Sequence, residues 1–190
     1  MKCGQKWLHF FVLALFIIKI TFKKMFETLF LQSGILIFIL YAFYVCLLND
    51  KYYNSLPESI SATSYLFRDN FGTTWPFSFI CFASAMFIFP QWMMVSPENY
   101  QFLGFLSCLG LSFAGTTPLY REKFERNIHY ISGIVSFVCG LTWLILTGSW
   151  VSIAFIAVIG GLLTLLDKKN YVFFFEVTSY VVAALTLLLF

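Results

Sequence analysis

Glu176 stands five residues into the last hydrophobic run of the chain, and His129 opens an earlier one. A carboxylate is costly inside lipid, so one found there faces protein or water and has a partner. A carboxylate and an imidazole at one end of a helical bundle could hold or exchange a proton near neutral pH. They could equally form a hydrogen-bonded clasp that sets helix register, worth about 1 kcal/mol. Ser59 and Ser61, in the loop after the first span, are candidate nucleophiles, with His129 as base and Glu176 as its orienter. No nucleophile-elbow glycine pattern surrounds either serine. Arg68, Lys123 and Arg126 would supply anion-binding charge beside His129, Glu176 and Tyr180. One secure histidine is too few for a zinc site, which usually takes three protein ligands, so no metal and no cofactor are expected.

These residues need helices to position them. The chain has 190 residues, 60% of them hydrophobic and 11% charged, with a mean hydropathy of +0.84. Soluble domains carry roughly 25% charged residues, so the composition is that of an all-α, multi-pass membrane protein. Continuous runs of spanning length exclude the alternating strands of an outer-membrane barrel. Six spans are expected, at 28–48, 74–95, 101–117, 128–147, 149–166 and 171–190. Asn49-Asp50-Lys51, Ser96-Pro97-Glu98-Asn99, Thr116-Thr117-Pro118, Thr147-Gly148-Ser149 and Asp167-Lys168-Lys169-Asn170 break the chain between them. The first run, Trp7 to Ile18, is short for a span. Residues 1–24 are therefore read as an interfacial helix, a seventh helix or an upstream start-site extension, with 25–190 as the membrane domain, and His9 carries no weight.

Lys51, Arg68, Arg121, Lys123, Arg126, Lys168 and Lys169 all fall in loops one, three and five, whereas loops two and four hold no Lys or Arg. The positive-inside rule puts the odd loops in the cytoplasm. His129 and Glu176 then share the cytoplasmic end. The net charge of +3 is dispersed and gives no nucleic-acid footprint. Cys3, Cys46, Cys81, Cys108 and Cys139 form no CxxC pair and read as small packing residues. Trp75, Trp92, Trp143 and Trp150 lie near span ends, as interfacial belts require.

Small residues mark faces where helices meet in lipid. The third span carries Gly104, Cys108, Ser112 and Gly115 at helical spacing, and the fourth Gly133, Ser136 and Gly140 in line with His129. The fifth carries Ala154, Ala157, Gly161 and Thr164, and the sixth Glu176, Ser179, Tyr180 and Ala183. The first loop, 49–73, is the longest. Pro57-Glu58 reads as the start of a short helix capped by Ser55, with Ile60 and Phe67 on one face. That segment is expected either to be solvated or to fold over the bundle mouth.

Pro57-Glu58-Ser59-Ile60-Ser61 and His129-Tyr130-Ile131-Ser132-Gly133 resemble motifs of a bacterial group of six-span integral membrane proteins without an assigned activity. More distantly, they are similar to the DRAM-like six-span family, in which an acidic residue follows the Ile-Ser; here Ala62 stands there. The resemblance implies a six-span fold in a bacterial inner membrane and, for the DRAM-like family, a first loop on the outside, against the charge count. Three functions fit these residues: a membrane protein binding a lipid or small amphiphile, an intramembrane lipid hydrolase or transferase, and a proton-coupled transporter. Membrane lipids are the expected partners in the first two. The transporter lacks support from repeated halves, and Pro90 lies near the end of the second span.

Overall fold

The computed structural model describes residues 3–166 and 169–189, with side chains from residue 28 onward except at 164 and 166. All described secondary structure is helical. Helix α1 spans Cys3–Tyr53, α2 Thr63–Phe71, α3 Trp75–Val95, α4 Gln101–Thr116, α5 Lys123–Leu146, α6 Trp150–Leu166 and α7 Tyr171–Leu189. A single 3-10 turn, Glu98–Tyr100, links α3 to α4. Helix α1 runs unbroken through residues 24 and 25, and the side chain of His9 lies outside the described residues.

Among the described residues, four helical segments are long and apolar enough to cross a membrane: Thr28–Tyr53, Trp75–Val95, Lys123–Leu146 and Tyr171–Leu189. This is the signature of a membrane protein. Helices α4 and α6, with 16 and 17 residues, are shorter than the remaining two expected spans require. Helix α4 packs between α3 and α5, α6 lies along α7, and α1 meets α3 and α7. Two apolar clusters fill the bundle, one around Trp92, Trp143 and Leu187 and the other around Phe38, Phe67 and Phe77.

Two of the four expected interfacial tryptophans are core residues instead. Trp75 and Trp150 are exposed, but Trp92 and Trp143 are buried and meet edge to face, ring centroids 5.5 Å apart. The small residues explain this. A side chain at Gly104 would strike the Trp92 ring at 2.9 Å, and one at Gly140 would touch it at 3.5 Å. The Trp143 indole N–H donates to Ser96 Oγ at 2.7 Å, which lets its polar edge be buried. Trp143→Phe should lower stability by about 1 kcal/mol by orphaning that hydroxyl. Thermal unfolding in detergent would reveal it, and an unchanged midpoint would contradict the bond.

The stripe expected to pack on α6 faces outward. Ala154, Ala157 and Gly161 are exposed, and the side chain of Thr164 lies outside the described residues. The face turned inward carries Ile156 and Gly160, and Gly160 lies against the Phe175 ring of α7. The α4 stripe does pack, with Gly104, Cys108 and Gly115 buried.

Candidate functional site

The first loop is not solvated. Pro57, Ser59, Ile60 and Thr63 through Phe67 are buried, so the segment folds down over one mouth of the bundle. The helix starts at Thr63 and not at Pro57. Ser55 does not cap it, because its backbone carbonyl and hydroxyl take the Asn49 side-chain amide. The hydroxyls that made this stretch read as polar are spent on backbone groups. Ser59 Oγ accepts from Ala62 N–H at 2.9 Å, and Ser64 Oγ donates to Pro118 O at 2.5 Å. Tyr41 OH meets Thr63 Oγ1 at 2.6 Å, and that hydroxyl donates to Ile60 O at 2.6 Å. Ile60 and Phe67 both point inward.

Glu176 and His129 both come to this mouth, but each takes a different residue of the loop. Glu176 Oε2 accepts the Ile60 backbone N–H at 2.6 Å. One residue on, Ser61 Oγ lies 2.9 Å from His129 Nε2. The other imidazole nitrogen, Nδ1, lies 2.9 Å from Thr117 O. A carbonyl can only accept, so Nδ1 carries the proton and Nε2 is left to accept from the Ser61 hydroxyl. The direct His129–Glu176 clasp is therefore replaced by two contacts through adjacent loop residues.

Chain geometry explains how His129 is held. Pro118 ends α4, and the last carbonyls of a helix have no partner within it. Thr117 O gains one in the imidazole. Tyr120 stacks on the same ring at 5.1 Å between centroids, and Phe77 flanks it at 6.0 Å. Neither Thr117 nor Tyr120 was marked by the sequence as a site residue. The unpaired carbonyl before a helix-ending proline was the available signal for the first.

A cavity of about 790 Å³ opens beside this cluster. At the loop end it is lined by Glu58, Ser59, Ser61, Tyr120, His129 and Glu176, and it continues between the helices past Cys81, Leu111 and Phe137 to Trp92, Leu144 and Ile156. Ser179, Tyr180 and Ala183 continue the Glu176 stripe along its wall, as their spacing predicts. Gly133, Ser136 and Gly140 of α5 line it too, so the α5 stripe borders a cavity over part of its length. Among the described residues, the Ser179 hydroxyl and the Trp92 indole N–H are buried without a protein partner, and both residues line this space.

The expected basic residues do not join the site. Arg68, Lys123 and Arg126 are exposed and do not line the cavity. Arg68 pairs with Asp69 and lies over the Tyr65 ring at 4.7 Å. Arg121 also lies over the Tyr65 ring, at 4.7 Å, and is 3.5 Å from Oε2 of the cavity-lining Glu58. Its backbone N–H donates to Tyr65 OH at 2.7 Å. Burial pushes the Tyr65 phenol above its ordinary range, so it stays a neutral acceptor. Among the described residues, no group of three or more His, Cys, Asp or Glu is placed to hold a metal.

Compared with family models, curated proteins and solved structures, the chain matches none.

Proposed function

We propose that this protein binds a lipid or other small amphiphile, its apolar chain between the helices and its polar head at the Ser61–His129–Glu176 mouth. The observation that carries this is the cavity itself. Its volume of about 790 Å³ falls in the range of small-molecule sites, roughly 300–1,000 Å³. Its walls are mainly apolar, and its carboxylates and imidazole, Glu58, Glu176 and His129, lie at the loop end. A ligand with one polar end and one long apolar part matches that distribution.

The same reading takes α1, α3, α4, α5, α6 and α7 as six spans of a bacterial inner membrane. At 1.5 Å per residue the 16-residue α4 is about 24 Å long. Local bilayer thinning accommodates a mismatch of that size at modest cost. With the odd-numbered loops in the cytoplasm, the polar mouth opens toward the cytoplasmic leaflet.

Extraction and mass spectrometry of purified protein test this. About one amphiphile per chain is expected to survive extensive detergent washing. Ala183→Phe, which places a ring in the cavity wall, should reduce that occupancy about tenfold. Arg126→Ala, outside the cavity, should leave it unchanged. Recovery of only bulk lipid, in amounts unaffected by Ala183→Phe, would refute the reading.

A further inference from the structure

We infer that Ser61 and His129 form a catalytic nucleophile and general base that cleave an acyl ester held in the cavity. This rests on the amphiphile-binding reading and adds a reaction to it. Three serines of the loop distinguish a chemical role from a structural one. Ser59 and Ser64 direct their hydroxyls to backbone groups, Ala62 N–H and Pro118 O. Ser61 instead meets an imidazole nitrogen at 2.9 Å. That nitrogen is the acceptor, because Thr117 O holds the proton on Nδ1. A hydroxyl bonded to the free nitrogen of a neutral imidazole, whose other nitrogen is held by an acceptor, is the arrangement that activates a serine. Here a backbone carbonyl does the orienting that a carboxylate does in a triad.

Placement agrees with this role. Ser61 and His129 both line the cavity, so an ester seated at its polar end meets the Ser61 oxygen. The stacked Tyr120 ring and the Thr117 carbonyl fix the imidazole plane. Ser61's own backbone N–H has no acceptor among the described residues. It is a donor of the type that stabilises a developing oxyanion. Glu176 is a positioning residue, since it holds the Ile60 N–H immediately before Ser61 and touches neither reacting group.

The steps balance with water as co-reactant. Ser61 Oγ attacks the ester carbonyl carbon while its proton passes to His129 Nε2, and the carbonyl π pair moves onto oxygen. The tetrahedral intermediate collapses with cleavage of the alkoxy C–O bond, and the departing oxygen takes the proton from Nε2 to leave as an alcohol. Water, deprotonated by Nε2, then attacks the acyl–Ser61 carbonyl. The bond to Oγ breaks, Oγ recovers the proton, and a free acid departs.

An alkyl fluorophosphonate tests the pair on the full-length protein in detergent or nanodiscs. The wild type should be labelled covalently, with the adduct mapped to Ser61 by peptide mass spectrometry. Ser61→Ala should carry no adduct in that peptide, and His129→Gln should label at least 100-fold more slowly, the scale of a lost general base. Hydrolysis of p-nitrophenyl esters should favour medium or long acyl chains over acetate. Wild-type protein that retains its amphiphile but takes no label at Ser61 would overturn the inference and leave the binding reading intact. Equal labelling of wild type and His129→Gln would also overturn it. Labelling at Ser61 without any retained amphiphile would refute the binding reading instead.

Discussion

Glu176→Leu should destabilise the protein by about 2 kcal/mol and release the first loop from the bundle mouth. The carboxylate accepts the Ile60 N–H at 2.6 Å, and Ile60 is buried. Leucine fills similar space but leaves that amide without an acceptor, and an orphaned buried donor costs about 1–3 kcal/mol. The same loop segment makes a second bond to α7, Phe173 N–H to Glu58 O at 3.2 Å, at the long end of the range for such bonds. Glu176→Gln keeps a carbonyl acceptor and should cost clearly less. Hydrogen exchange over residues 56–64 separates these outcomes. Faster exchange in Glu176→Leu, with near wild-type exchange in Glu176→Gln, is expected. Indistinguishable exchange in all three proteins would mean that the bond does not hold the loop. Freed from Ile60, Ser61 would also lose its register with His129, so fluorophosphonate labelling should fall with loop protection.

How much of this was legible in the sequence depends on which force placed each residue. Glu176, Ser179, Tyr180 and Ala183 were readable because helical period alone puts them on one wall. His129 was readable as inward-facing for the same reason. The partnership of Glu176 and His129 was not, because sequence offers no way to see that Ile60 and Ser61 lie between them. The Ser- and Thr-rich first loop left solvation and folding over the mouth both open, and the Thr63 and Ser64 hydroxyls satisfy backbone carbonyls at Ile60 and Pro118. Ser and Thr bond nearby backbone groups readily, which lets a polar loop be buried. Trp92 and Trp143 sat at span ends, where tryptophan also serves the interface. The space left by Gly104 and Gly140 admits Trp92 to the core. On α6 the small-residue rule chose the wrong face, because Gly160 and Ile156 meet α7 while the alanines face outward.

Helix α5 carries His129, so its seating on α4 governs the site as well as the fold. At Gly110 the two helices touch backbone to backbone. A Cβ there would lie 2.6 Å from Ser132 O, 2.8 Å from Ser136 N and 3.1 Å from Ser136 Cβ. No rotamer change relieves an encounter with main-chain atoms, so the helices must separate. Overpacking costs typically 1–3 kcal/mol, and Gly110→Ala should fall at the upper end of that range. Gly110→Val, with two further carbons on Cβ, should exceed it. The Ser107 Oγ bond to Ser136 O, 2.8 Å and one turn away, would stretch at the same time. Ser132 lies one turn beyond His129, so a displaced α5 also draws the imidazole from Ser61. Gly161→Ala supplies the contrast, since a Cβ there meets nothing within 4 Å. In that helix the change should be neutral or stabilising by on the order of 0.5 kcal/mol, because alanine has less backbone freedom to lose. Thermal unfolding followed by tryptophan fluorescence would compare the two alanine variants directly. Equal midpoints would show that the α4–α5 contact yields without cost. A large drop confined to Gly110, with loss of Ser61 labelling, would tie the close approach of these helices to the geometry of the serine–histidine pair.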